Sequence, residues 1–328
     1  MNRILRLSSS QSCQNSVIFS LSYIKFCFMN PVWGIDLGGT KVEGVILKNR
    51  DSVEVIERLR IPTEAHLGYH HIVGQIKKCV DLLSERSQLS PSTIGIGTPG
   101  VLDPLLQTMK NCNATELNGQ PLKKDLEKAL RLEIKMANDA NCFAMAEAKL
   151  GIVKDHVKNP EVVFGVIMGT GVGGGIVVHG EILYGLQGIG GEWGHTFLDS
   201  SGGDCYCGNI GCVEKLISGT ALEDYFERKT GIHKKLKEII SLHKAGVDEM
   251  ATATVHRLLH FFGKGMANVI NIIDPEVVVL GGGLGNVDLL YTEGIKEVKK
   301  FVFNNRLDTK FLKPKLGDSA GVFGAALL

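Results

Sequence analysis

No apolar run in these 328 residues is long and clean enough to cross a bilayer, which takes about 20 consecutive apolar residues. Neither sign of charge dominates, because 36 Lys and Arg stand against 35 Asp and Glu, and a net charge of +1 gives no pull toward nucleic acid or an anionic membrane. Acidic residues are missing altogether from the first 28 positions, where an apolar run from Val17 to Phe28 is interrupted by Lys25. That run has no small-residue cleavage site of the kind a secretory signal needs, and a basic, acid-poor start fits an organelle transit peptide somewhat better. A mis-assigned upstream start fits better still, since Met29 immediately precedes the first strand-like segment. Residues 1–28 are therefore expected to be a poorly packed extension outside the fold. What remains is the profile of a soluble, cytoplasmic protein, 44% hydrophobic, with material for a large core and more than one domain.

Cysteines are few, but three of the eight crowd into GEWGHTFLDSSGGDCYCGNIGCVE, residues 191–214. Cys205, Cys207 and Cys212 follow His195, and three thiolates with one imidazole complete a tetrahedral zinc shell that short Gly-rich spacers can fold around one ion. Free thiols or a disulfide are the plainer reading, yet cysteines two apart rarely bridge each other and the chain lacks the features of a secreted protein. Glu192 and Glu214 lie at either end of this segment, as acids that could hold a polar ligand.

There is no P-loop. The run from Val32 to Leu47 reads as strand, tight turn at Gly38-Gly39-Thr40, strand, so its spacing is wrong and a helix does not follow. Bare backbone N–H groups in such a turn can approach a phosphate, and Thr40 and Lys41 add a hydroxyl and a charge, although a simple β-turn is the default. The pattern recurs: VVFGVIMGTGVGGGIVV, residues 162–178, sets Gly169-Thr170-Gly171 against the first turn, which predicts two similar lobes. Only the first copy has an acid on its strand. Asp36 with two Gly turns suits one Mg²⁺ serving a nucleotide phosphate chain.

Between the turns, IGIGTPG at 94–100 reads as a buried strand ending in a turn, and a helix is predicted from Pro121 to Leu132. Asn111, Asn113 and Asn118 offer amides that can both donate to and accept from sugar hydroxyls, against the plainer reading of loop chemistry. Ile134 and Met136 finish a strand, and Asn138-Asp139 stand at its junction with a helix over 140–150. On local sequence Asp139 reads first as that helix's N-cap and second as a general base at a strand end. A helix N-terminus would keep it ionised and weakly basic, which phosphoryl transfer tolerates because the hydroxyl proton moves late.

Toward the C-terminus, Val255 to Ile273 has apolar residues at helical spacing, Pro275 restarts the chain as a strand over 276–280, and Gly281-Gly282-Gly283 could lie flat against a ring or ribose. The last residues, Gly321 to Leu328, read as a short buried helix.

In order, GIDLGGTK (34–41), GTPG (97–100), NDAN (138–141), GTGVGGG (169–175), GEWGH (191–195), CYCGNIGC (205–212) and VVLGGG (278–283) resemble the ROK family of sugar kinases from Val32 to the C-terminus. Thr98 departs from the pattern, because an apolar residue is common there. NCNATELNGQPLKKDLE (111–127) and GNVDLLY (285–291) look most like the family's bacterial fructokinases.

The resemblance implies an α/β, actin-like (ribonuclease H-like) two-lobed ATPase fold, with a hexose in the interlobe cleft and a structural zinc. Residues 29–138 would form the N-terminal lobe, with a helix at about 318–328 returning to it, and 139–317 the C-terminal lobe. By motif, Asp139 would be the base for transfer from ATP to the 6-hydroxyl of fructose and also of mannose. Asn113, Asn138, Asp139, Glu192, His195 and Glu214 would hold the sugar. Gly38, Gly39, Thr40, Lys41, Gly169, Thr170 and Gly171 would face the phosphates, Gly282 and Gly283 the adenosine, and Asp36 a water-bridged Mg²⁺. Zinc would sit on His195, Cys205, Cys207 and Cys212. A homodimer is expected, without nucleic-acid or membrane partners. N-acetylglucosamine kinase, which shares NDANCFA and GTGVGGG, and glucokinase are the alternatives within the family. A sugar-responsive ROK regulator would need a helix-turn-helix, and the first 28 residues have neither a two-helix pattern nor basic clustering.

Overall fold

The computed structural model describes residues 30–328, so the expectations placed on residues 1–28 lie outside the described residues. Two five-stranded sheets repeat one topology. The first comprises β1 (Val32–Leu37), β2 (Lys41–Leu47), β3 (Val55–Pro62), β4 (Thr93–Thr98) and β7 (Glu133–Asn138) in the order β3-β2-β1-β4-β7. A two-stranded ribbon of β5 (Val101–Leu102) and β6 (Met109–Lys110) stands apart. The second sheet comprises β8 (Val162–Met168), β9 (Val172–Val178), β10 (Glu181–Ile182), β11 (Val277–Gly281) and β12 (Lys310–Leu312) in the order β10-β9-β8-β11-β12. In each, an antiparallel hairpin opens the sheet and two parallel strands extend it on the far side.

The repeat read from sequence is thus real, down to the three-residue connections 38–40 and 169–171. The inner parallel strands β4 and β11 are buried nearly throughout, as expected of strands covered on both faces, while the edge strands β7 and β12 carry exposed Glu133, Lys135 and Lys310. One cover is shared by the two sheets. Helix Asp139–Lys149 lies on β8 and β9, helix Ala320–Ala326 lies on β1 and β4, and the two helices pack on each other. Gly324 makes that crossing possible, since a Cβ there would overlap the Cys142 backbone. The outer faces have separate cores. Leu258, Phe262 and Met266 of helix Glu249–Ile273 cover the second sheet, and Ile72, Ile76 and Leu83 of helix Tyr69–Ser87 cover the first.

Helix 249–273 begins six residues earlier than the apolar periodicity indicated, because Asp248 caps it by accepting from the Ala251 N–H at 2.8 Å. Among the described residues, no helix is long and apolar enough to cross a membrane.

Candidate active site

β7 ends at Asn138, and the next residue, Asp139, opens helix 139–149. The cap is Asn138. Its Oδ1 accepts from the Asn141 N–H at 2.8 Å, while Asp139 accepts only from the adjacent Ala140 N–H at 2.7 Å. The reading of Asp139 as the N-cap is therefore corrected, for a geometric reason: the helix begins one residue earlier than expected, at Asp139 itself, so the residue before its first turn is the asparagine. The Asp139 carboxyl is open to the cleft but enclosed by its walls, and that desolvation raises its pKa despite the helix N–H groups. Enclosure thus outweighs the helix N-terminus, and Asp139 is a better base than its position in the sequence implies.

Two cavities meet at Asp139. One, of about 1000 Å³, is lined by Asp36, Gly38, Gly39, Gly282 and Gly283. The other, of about 870 Å³, is lined by Asn113, Asn138, Glu192, His195 and Glu214, and by Gly169, Thr170 and Gly171. Asp139 and Asn113 line both. A third cavity, of about 800 Å³, continues from Gly169, Thr170 and Gly283 toward Gly219 and Val287. The other five side chains expected to hold a sugar therefore line one cavity together with Asp139, and the Gly turns of both hairpins open beside it. Thr40 and Lys41 line none of these cavities. The Lys41 ammonium lies 3.6 Å from the buried Glu43 carboxylate, which also pairs with Arg58 and Arg60. Asn118 is occupied with turn chemistry, accepting from the Cys112 N–H and donating to the Cys112 carbonyl.

The first cavity is acidic. Among the described residues, Asp36, Glu116, Asp139 and Asp318 line it against a single cation, Lys313, so a polyphosphate would enter only with neutralising metal. Asp36 fits that task as an oxygen donor at the head of the Gly38–Thr40 turn. Burial first, and then the nearby Asp139 and Glu43 charges, push its pKa up to about 6, a charge a divalent cation would relieve. A Cβ at Gly39, Gly169 or Gly283 would meet nothing within 4 Å, so these three backbones face open space. Glu192 also has a raised pKa, chiefly from burial, with His195 opposing and Asp139 and Glu214 adding to it.

The donor atoms of His195, Cys205, Cys207 and Cys212 all lie within 4.8 Å of one another. Zinc–sulfur bonds of about 2.3 Å in a tetrahedron set edges of roughly 3.8 Å. The Cys207 and Cys212 sulfurs are 3.6 Å apart, and the Cys205 sulfur is 3.6 Å from His195 Nδ1, so the set fits zinc in chemistry and in spacing. With Nδ1 turned to the thiols, His195 Nε2 lies 2.9 Å from the Tyr206 hydroxyl. Tyr206 lines the second cavity and went unnoticed in the sequence, though a residue between two ligands in Cys-x-Cys is a natural neighbour of the fourth. Thr98, the departure from the motif, is buried with its hydroxyl donating within 2.9 Å of the Gly100 carbonyl and 3.2 Å of the Ala137 carbonyl.

Duplicated sheets joined by two crossing helices, with a cleft floored by Gly turns, define a class: the actin-like two-lobed α/β ATPases. The family model for the ROK family matches residues 32–328, and this chain belongs to that family. It is 37% identical over 307 residues to an N-acetyl-D-glucosamine kinase of Vibrio atlanticus strain LGP32, covering 90% of this chain and 98% of that protein. It is 36% identical over 306 residues to the enzyme of the same name from Vibrio cholerae serotype O1 strain El Tor Inaba N16961, with the same coverage. Among solved structures, a ROK hexokinase from Thermus thermophilus superposes with a TM-score of 0.81 at 29% identity, covering 90% of this chain and 97% of that one. A ROK glucokinase from Streptomyces griseus, in complex with glucose and AMPPNP, gives 0.72 at 26%, covering 90% and 98%.

Proposed function

We propose that this ROK protein is an ATP-dependent sugar kinase that phosphorylates the 6-hydroxyl of a hexose, with N-acetylglucosamine as the favoured acceptor. The observation that carries the kinase reading is the position of Asp139 where an acidic, Gly-floored cavity meets a cavity lined by Asn113, Asn138, Glu192, His195 and Glu214. Asp139 accepts the proton of the attacking hydroxyl. The asparagine amides donate and accept and the carboxylates accept, so several ring hydroxyls are held at once and one is aimed across the cleft. The Gly38–Thr40 and Gly169–Gly171 turns offer backbone N–H groups to the phosphates, and Gly283, which faces open space next to Gly282, leaves room for the adenosine. Asp36 would hold magnesium, through water, and the ion would supply charge neutralisation on the phosphates. His195, Cys205, Cys207 and Cys212 would hold zinc, which would fix the orientation of the imidazole beside the acceptor cavity.

The acceptor follows from the names of the relatives that match over nearly the whole chain. Fructose and mannose, to which residues 111–127 and 285–291 pointed, have no support from those names. An assay of ADP release with fructose, mannose, glucose and N-acetylglucosamine decides among them. Highest kcat/KM on fructose restores the earlier reading, and no turnover on any of the four removes the hexokinase reading. Assembly as a homodimer belongs to the same proposal, and is supported by the exposed Leu186, Ile272 and Phe303 side chains. Sedimentation at the mass of one chain rejects it.

A further inference from the structure

The second Gly turn is held at both ends by one short segment. At its exit, the Glu214 Oε2 accepts from the Val172 N–H at 2.9 Å. At its entrance, the Gly169 carbonyl accepts from the Gly219 N–H at 2.7 Å. Gly171 lets the turn lie against the carboxylate, since a Cβ there would sit 2.5 Å from Oε2. Residues 214–219 are themselves fixed: Leu216 and Ile217 are buried in the core, and the Val213 N–H donates to the Thr196 carbonyl at 3.0 Å. The Glu214 carboxylate also lines the acceptor cavity, with one oxygen committed to the turn and the other left for a ligand there.

We propose that Glu214 couples the two substrates: a sugar hydroxyl on its free oxygen fixes the carboxylate, and through Val172 fixes the Gly169–Gly171 turn in its phosphate-binding position. Acceptor binding therefore tightens nucleotide binding, and by linkage the nucleotide tightens the sugar by the same factor. This role rests on the kinase reading and adds to it, because a residue that merely touched sugar would change sugar affinity and leave the nucleotide alone. The distance spanned is short, since the turn and the carboxylate are in direct contact and no longer relay is needed.

The test is calorimetric titration of the full chain with AMP-PNP and Mg²⁺, without sugar and with saturating N-acetylglucosamine, or fructose should that prove the acceptor. The wild type is expected to bind AMP-PNP on the order of 5- to 100-fold more tightly with sugar present. Glu214→Ala, read at sugar concentrations raised to saturation, is expected to bring that ratio close to one. Glu214→Gln, whose amide oxygen can still accept from Val172, should keep part of it. Asn113→Ala is expected to weaken sugar binding but to keep the full ratio once saturated. Should Glu214→Ala fail to fold or to bind sugar, hydrogen exchange of the 169–175 amides decides: sugar must protect them in the wild type and protect them less in Glu214→Gln. A ratio near one in the wild type, an unchanged ratio in Glu214→Ala, or equal protection in Glu214→Gln overturns the coupling. A wild type that binds neither sugar nor AMP-PNP overturns the kinase reading instead.

Discussion

Asn138 caps the helix that Asp139 begins, so although both residues line the acceptor cavity, the cap does not depend on the Asp139 carboxylate. Asp139→Asn should therefore fold, with stability at neutral pH no lower than that of the wild type, because the cap is kept and a desolvated charge is removed. Loss of a general base costs on the order of 10²–10⁴-fold in turnover, and sugar and nucleotide should still bind. Asn138→Ala should do the reverse in part, losing about 1 kcal/mol of stability with the cap while keeping the base. Parallel measurement of kcat, ligand Kd and thermal unfolding separates them, and near-normal turnover in folded Asp139→Asn removes Asp139 from the mechanism.

Gly39 gives the cleanest test of the phosphate turn. Its φ lies outside the left-handed region, and an added Cβ would touch no protein atom within 4 Å. Gly39→Val should leave the melting temperature nearly unchanged and weaken ATP binding at least about tenfold, because the side chain takes up the space a phosphate must approach. Wild-type ATP affinity in this variant would falsify the assignment.

The strands, their Gly turns and the gathering of Asn113, Asp139, Glu192, His195 and Glu214 were legible because each is written in a local pattern or a motif. What stayed hidden depends on contacts between distant positions. Glu147 is fully buried in helix 139–149 and accepts from the backbone N–H groups of Ile152, Lys315 and Leu316, pinning the loop that carries Lys313 along the acidic cavity. In the sequence it is one helical glutamate among others, and only the fold brings residues 168 and 169 positions away onto its carboxylate. The cap went to the wrong residue for a related reason: both Asn and Asp favour that position, and only the pairing of Thr98 with Asn138 fixes where the strand ends.

The four donors within 4.8 Å predict one zinc per chain in metal analysis of purified protein. Cys205→Ser with Cys212→Ser leaves two ligands and should bring the content near zero. Both this variant and chelated wild type should melt at lower temperature, because metal binding is linked to folding. Zinc retained in the double variant rejects the site.

Asp36 predicts a dependence of stability on pH. Its pKa rises from 3.8 to about 6 on folding, mainly through burial. Between about pH 4 and 6 the folded chain keeps this proton and the unfolded chain loses it, so stability falls as pH rises through that window. Above about pH 6 the whole cost of the buried charge is present. Asp36→Asn has no such charge. Without nucleotide or added magnesium, its stability relative to the wild type should be near even at about pH 4 and greater by about 1–3 kcal/mol above pH 6. Urea unfolding at a series of pH values measures the difference. Mg²⁺ with ATP should then narrow the gap, because a cation beside Asp36 compensates the wild-type carboxylate and has nothing to compensate in the amide. A difference that does not vary with pH would mean that Asp36 ionises as freely in the folded chain as in the unfolded one, and a gap that magnesium and ATP leave untouched would take the metal away from Asp36.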